Sequence, residues 1–150
     1  MSVSLFDLTG RRALVTGSSR GIGLALARGL AAAGASLVLN GRDRAALERA
    51  AEELRRADRS VAVAPFDATD GASVRAAVER VERDVGPIDI LVNNAGMQRR
   101  MPLEDYPEET WREIVRTNLD SVFLVGQAVA RHMIERRRGK IINVCSVQSE

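Results

Sequence analysis

Thr16-Gly17-Ser18-Ser19-Arg20-Gly21-Ile22-Gly23 holds the chain's densest group of residues suited to chemistry. The apolar run Ala13-Leu14-Val15 leads into it, and a segment with helical spacing leaves it. A glycine-rich turn in that position lets the backbone approach a pyrophosphate closely. The free N–H groups and dipole of the following helix then hold the negative charge. The spacing is not the common G-x-G-x-x-G, and no Gly-Lys-Ser/Thr follows to make a P-loop. A second group, Asn40-Gly41-Arg42-Asp43, ends the next apolar run. An NAD site usually places a carboxylate there to accept from the ribose 2′-hydroxyl. Here Gly41 and Arg42 stand instead, and Arg42 with Arg20 offers two guanidiniums for a 2′-phosphate. NADP is therefore favoured as cofactor, while nearby Asp43 keeps NAD possible.

Three more apolar runs end in polar residues: Phe66-Asp67, Asn93-Asn94-Ala95-Gly96 and Cys145-Ser146. An asparagine pair after Ile90-Leu91-Val92 is costly to bury without partners, so fixed hydrogen bonds are expected, with Asn93 more a structural link than a ligand contact. Asn118 interrupts the apolar side of a long helical pattern, where asparagine has poor propensity. Its expected setting is buried, with a water or a catalytic group as partner.

The elements that must position these residues follow from the alternation of two periods. Ala13–Val15, Ser36–Leu39, Val61–Val63, Ile88–Val92 and Ile141–Val144 are nearly continuous apolar runs, the pattern of strands buried on both faces. Between them lie amphipathic stripes: Ile22, Ala25, Leu26, Gly29, Leu30 and Ala33; Leu47, Ala51 and Leu54; Val74, Val78, Val81 and Val85. Gly34 is a natural C-cap for the first, and Gly86-Pro87 stops the third. A fourth stripe opens at Pro107 and runs through Trp111, Ile114, Val115, Leu119, Val122 and Phe123 to Val129 and Met133, long enough to allow a break. Arg136, Arg137 and Arg138 suit the helix C-terminus that follows. The order β-α-β-α-β-α-β-α-β gives an α/β fold, a doubly wound parallel sheet of Rossmann type. In such sheets ligands bind beyond the carboxyl ends of the strands, which is where all the polar groups above fall.

The composition is that of a globular α/β chain: 150 residues, 45% hydrophobic and 28% charged. Basic residues outnumber acidic ones by only 22 to 20, without the clustered cationic face that a phosphate backbone needs, so no nucleic-acid partner is expected. No apolar run approaches the roughly 18 residues of a membrane span, and no secretory leader is evident, so no membrane partner is expected. A single cysteine suits the cytoplasm. No metal is expected.

Taken together, Thr16-Gly17-x-x-x-Gly21-x-Gly23, Asp67, Asn93-Asn94-Ala95-Gly96, Asn118 and Ser146 resemble, in order, the motifs of the short-chain dehydrogenase/reductases, and they span the whole chain. Within that family Asn93 to Arg100, Arg131-His132-Met133 and Cys145 to Glu150 look most like the gluconate 5-dehydrogenases. The resemblance implies hydride transfer between NADP and an alcohol or ketone carbon of a sugar acid. It also implies roles: Gly17, Ser19, Arg20, Ile22 and Gly23 for the cofactor phosphates, and Arg42 for the adenosine ribose phosphate. Asp67 would meet the adenine and Asn94 the ribose beside nicotinamide. Ser146 would meet the substrate oxygen, and Asn118 would hold a proton-relay water. Arg99 or Arg100, just past the Asn-Asn-Ala-Gly turn, is expected to pair with the substrate carboxylate. Another sugar-alcohol dehydrogenase, a 3-oxoacyl-thioester reductase and a non-catalytic dinucleotide-binding protein remain alternatives.

The family's acid/base Tyr and its Lys four residues later fall, by the same resemblance, beyond Ser146. The only Tyr and Lys here, Tyr106 and Lys140, do not fit: Thr110 stands four residues after Tyr106, and Lys140 begins the fifth strand. Residues 1–150 therefore read as a dinucleotide-binding domain incomplete at its C-terminus, with Ile141 to Val144 as an apolar edge strand. The complete enzyme is expected to be a homotetramer.

Overall fold

The computed structural model describes residues 5–146. Its elements run β1 (Arg12–Val15), α1 (Gly21–Ala32), β2 (Ser36–Gly41), α2 (Arg44–Arg55), β3 (Val61–Pro65), α3 (Gly71–Asp84), β4 (Ile90–Asn93), α4 (Glu108–Val115), α5 (Ser121–Glu135) and β5 (Lys140–Asn143). Among the described residues the five strands form one parallel sheet in the order β3-β2-β1-β4-β5. The order reverses between β1 and β4, which places the crevice of a doubly wound sheet above those two strands.

Alternation along each strand sorts the core into two layers. Leu14, Val38 and Leu91 point to one side and pack with Val74, Val78 and Val81 of α3 and Val125, Val129 and Met133 of α5. Ala13, Val15, Leu37, Leu39, Ile90 and Val92 point to the other, against Ala27 and Ala31 of α1 and Leu47, Ala51 and Leu54 of α2. Strands buried on both faces need apolar residues at successive positions, hence the unbroken runs in the sequence.

Two helical expectations change. The first stripe is rotated: Gly23, Ala27 and Ala31 face the sheet, while Ile22 is 69% exposed and Leu26 36%. Small residues let α1 lie close to the strands, and this outweighs burial of the larger side chains on its flank. The long fourth stripe is broken by a π turn, Arg116–Asp120, between α4 and α5. Only its later part is core: Val125, Val129 and Met133 are buried, whereas Trp111, Leu119 and Phe123 are 60–64% exposed.

The caps behave as the sequence suggests. Gly34 (φ +100°) ends α1, its N–H donating to the Ala31 carbonyl at 3.0 Å, and Gly86 (φ +121°) follows α3. The arginines after α5 do more than complement its dipole. Arg136 grips Glu82 of α3 with two nitrogens at 2.6 and 3.1 Å, and Arg138 donates to Asp89 at 2.5 Å.

Asp89 ties together the amino-end edge of the sheet. Its buried carboxylate accepts from the Arg12 backbone N–H at 3.0 Å and lies 3.8 Å from Arg11. Burial pushes this carboxyl up, but the Arg12 N–H, Arg138 and Arg11 together hold it below the ordinary range. A depressed folded-state pKa adds stability that is present at neutral pH and lost as pH falls below about 4. Asp89→Asn in the full-length protein should cost about 1–3 kcal/mol at pH 7 and flatten the acid limb of a melting-temperature profile. A variant whose acid limb matches wild type would show that the stabilisation lies elsewhere.

Candidate functional site

The carboxyl end of β1 runs into a turn held from beneath by buried polar groups. Thr16 is the anchor: its hydroxyl oxygen accepts from the backbone N–H groups of Asn94 and Ala95, both at 2.9 Å. Asn94 returns the contact, its side-chain Nδ2 donating to the carbonyls of Thr16 at 3.1 Å and Gly17 at 3.3 Å. Asn40, at the end of β2, donates to the carbonyls of Ala64 and Phe66 (both 3.1 Å) and accepts from the Gly17 N–H at 3.4 Å. Ser18 bridges the same strands, accepting from the Asn40 N–H at 3.0 Å and donating to the Val15 carbonyl at 2.7 Å.

Two glycines make this packing possible. Gly17 has φ +62°, in the left-handed region where a side chain is strained. A Cβ on Gly23 would overlap the Gly17 carbonyl and come within 2.6 Å of Asn94 Nδ2. The first turn of α1 is thereby pressed onto the loop. Arg20 precedes it in extended conformation without a side-chain cap, and no acidic residue sits in that turn. The neighbouring helices differ: Asp43 caps α2 by accepting from the Ala46 N–H at 3.1 Å, and Asp70 caps α3 from Ala72 at 3.0 Å. The α1 N-terminus, with Ile22 as its second residue, thus has free N–H groups and a positive dipole beside the cleft, with no side-chain cap and no carboxylate in its own first turn.

That cleft has a volume of about 450 Å³ and lies over the switch between β1 and β4. Gly17, Ser19, Arg20, Arg42 and Asp67 line the sheet side; Glu113, Arg116 and Thr117 line the α4 side. Four guanidiniums (Arg20, Arg42, Arg99, Arg116) face two carboxylates (Asp67, Glu113), a balance suited to a phosphate-bearing ligand. Asp67 is fixed by Thr69, whose N–H and hydroxyl both donate to Oδ1 at 2.8 Å. The Thr69 N–H holds its carboxyl below the usual range; burial opposes this, and the Thr69 hydroxyl, Arg42 and Arg116 add to it.

Asp43 is a correction to the sequence reading. Its Oδ1 caps the first turn of α2, and Asp43 is not among the residues that line the cleft. Asn118 is another. It is exposed, not buried, and its side chain brackets the Met97 backbone, Oδ1 accepting from the N–H at 2.8 Å and Nδ2 donating to the carbonyl at 2.9 Å. Asn93 is the expected structural link, donating to Asn143 Oδ1 across β4 and β5 at 2.9 Å.

Segment 97–106 divides the cleft from a second cavity of about 550 Å³, which is largely apolar and lined by Met101, Leu103, Tyr106, Trp111 and Ile114. Met97 and Arg99 border both; Arg100 borders neither. The Tyr106 hydroxyl donates to the Arg99 carbonyl at 2.9 Å, away from the cofactor cleft. Lys140 pairs with Ile90 at the opposite end of the sheet from the site. Ser146 lies at the carboxyl end of β5, on the same rim as Asn94. Val147 to Glu150, part of the resemblance noted above, lie outside the described residues.

Residues 11–150 match the short chain dehydrogenase family. The chain belongs to this family. It is 57% identical over 146 residues to the gluconate 5-dehydrogenase of Gluconobacter oxydans (strain 621H), covering 97% of this chain and 57% of that protein. It is 49% identical to the 5-keto-D-gluconate 5-reductase of Escherichia coli (strain K12), over 97% of this chain and 58% of the relative. A crystal structure of a gluconate 5-dehydrogenase from Burkholderia cenocepacia J2315, in complex with NADP and tartrate, superposes with TM-score 0.93 at 56% identity, covering 97% of this chain and 57% of that one. The chain thus spans rather more than half the length of these short chain dehydrogenases.

Sequence reasoning passed over Thr16, Asn40 and Arg116 as site residues. Thr16 and Asn40 each put a polar group at the end of an apolar strand, a usable signal. Arg116 had none: it shares a helical face with Glu113 that only the fold turns toward the cleft. Gly23→Ala in the full-length protein is expected to cost about 1–3 kcal/mol of stability and to weaken dinucleotide binding, read by melting and by titration. Asp43→Ala should cost about 1 kcal/mol through the lost cap while leaving the NADPH/NADH preference unchanged.

Proposed function

We propose that the protein is an NADP-preferring dehydrogenase/reductase that interconverts a sugar acid and its keto form, gluconate and 5-dehydrogluconate. The observation that carries the cofactor half is Arg42 just past β2, lining the cleft with Arg20, while the carboxylate next to it in sequence, Asp43, caps α2. The likeness to gluconate 5-dehydrogenases at 56–57% identity supports the substrate half.

When bound, NADP supplies or accepts the hydride. This chain's residues bind and orient around it. Gly17, Ser19, Arg20, Ile22 and Gly23 hold the phosphates through loop and first-turn N–H groups and the Arg20 guanidinium. Arg42 takes the 2′-phosphate, and Asp67 accepts from the adenine. Asn94 Nδ2 is committed to the loop, so its Oδ1 is what it offers the ribose beside nicotinamide. Ser146 donates to the substrate oxygen and stabilises charge there. The Asn118 side chain is taken by Met97, so the relay water is held by the backbone of the π turn, an irregularity that often marks function. Arg99, which borders the cleft, pairs with the substrate carboxylate in preference to Arg100.

The assembly is a homotetramer, supported by the exposed apolar residues Trp111, Leu119 and Phe123 along α4, the π turn and α5. The compartment is the cytoplasm, which suits a single exposed free thiol among the described residues. No described helix is long and apolar enough to cross a membrane.

Titration of the full-length enzyme should show NADPH binding more tightly than NADH, with Arg42→Ala erasing most of the difference. Equal or tighter NADH binding would overturn the cofactor assignment. Arg99→Ala should raise KM for gluconate about tenfold or more with little change in kcat, and Arg100→Ala should not. Faster turnover of a 3-oxoacyl thioester than of 5-dehydrogluconate would sink the substrate assignment.

A further inference from the structure

The cleft has a guanidinium on its far wall with no role in the scheme above. Arg116 is the first residue of the π turn and lines the cleft beside Glu113, Thr117 and Ser121, opposite the β1–α1 and β2–α2 loops that carry Arg20 and Arg42. It forms no ion pair within 4 Å of a described carboxylate, unlike Arg28, Arg55, Arg112, Arg136 and Arg138. Its charge is nonetheless felt at Asp67, on the β3 side of the same cleft.

The backbone around Arg116 is held on both sides. Asn118 is locked onto the Met97 backbone through both side-chain polar atoms, which fixes the rotation of the chain at that point. The Ser121 hydroxyl donates to the Thr117 carbonyl at 2.6 Å, tying the wide turn to α5. With residue 118 directed to Met97, residues 113, 116 and 117 are left along the cleft, and Ile114 and Trp111 face the apolar cavity on the other side. Arg116 is therefore presented from a rigid backbone.

We infer that Arg116 binds the adenine ring of the dinucleotide from the α4 wall, its planar guanidinium lying against the base that Asp67 holds at its edge. This rests on the cofactor assignment made above. Three features favour the base over a phosphate. Arg116 and Arg42 both act on Asp67, the residue assigned to the base. The phosphate-binding features, the glycine-rich loop and the uncapped α1 N-terminus, lie on the opposite wall. A guanidinium stacks on an aromatic face without needing a counter-charge. Arg116 is thus a binding residue for adenine dinucleotides in general, and Arg20 and Arg42 decide between the phosphorylated and unphosphorylated forms.

The test is calorimetric titration of the full-length enzyme and its Arg116→Ala and Arg116→Lys variants with NADPH and with NADH, alongside melting temperatures without ligand. Arg116→Ala is expected to raise both dissociation constants by a similar factor, about five- to tenfold, with the NADPH/NADH ratio and the melting temperature unchanged. Arg116→Lys keeps the charge but loses the planar group, and should recover less than half of the loss on a logarithmic scale. Unchanged constants in Arg116→Ala would overturn the inference while leaving the cofactor assignment intact. Loss of NADPH affinity alone would overturn it in favour of a phosphate contact. A wild-type enzyme that binds neither dinucleotide would overturn the cofactor assignment and this inference with it.

Discussion

The lack of room for a side chain at residue 23 is the constraint on which the rest of the site depends. Because the first turn of α1 sits directly on the Gly17 carbonyl and the Asn94 amide, the helix can enter the sheet only at that point and at that depth. Its contact face must then be small, so Ala27 and Ala31 follow Gly23 along the sheet and the larger Ile22 and Leu26 turn outward. The same contact aims the uncapped helix end into the cleft. Close packing and the placement of an uncapped helix end beside the cleft are two consequences of one missing methyl group.

Polar groups hold the two ends of the sheet in different ways. At the amino end, the Asp89 carboxylate is engaged by the Arg12 backbone N–H and by the guanidiniums of Arg138 and Arg11. At the carboxyl end, the buried groups Thr16, Ser18 and Asn40 satisfy backbone atoms only, and the charged side chains above them are left facing open space. Buried polar groups without partners would cost several kcal/mol, so the loop's shape is determined as firmly as the core beneath it. The cationic residues around the cleft stand on a rigid base.

Particular residues show how far the fold could be seen in the sequence. Ala13 to Val15 and Leu37 to Leu39 announce strands because both faces of a parallel sheet are covered, leaving no polar alternation to blur the run. Val74, Val78 and Val81, and Leu47, Ala51 and Leu54, lie on the faces their spacing assigns, since nothing but the core competes for them. Helix α1 and the segment from Pro107 to Met133 depart from their periodicity. In α1 a backbone contact outranked side-chain size. In the long segment, Asn118 found its partner in the Met97 backbone, twenty-one residues away, and the helix widened by a π turn to meet it.

The sequence alone determined the strand and helix order, the glycine-rich turn after β1 and the presence of Arg42 where a carboxylate might stand, because these depend on local periodicity and residue type. Only the tertiary structure decided which charged groups are free to meet a ligand. Asp43 and Arg42 are adjacent in sequence, yet one caps α2 and the other lines the cleft. Arg99 and Arg100 are adjacent too, and one borders the cleft while the other does not. The reason is physical: a side chain's chemistry belongs to its type, but its availability depends on which hydrogen bonds the folded backbone has already claimed.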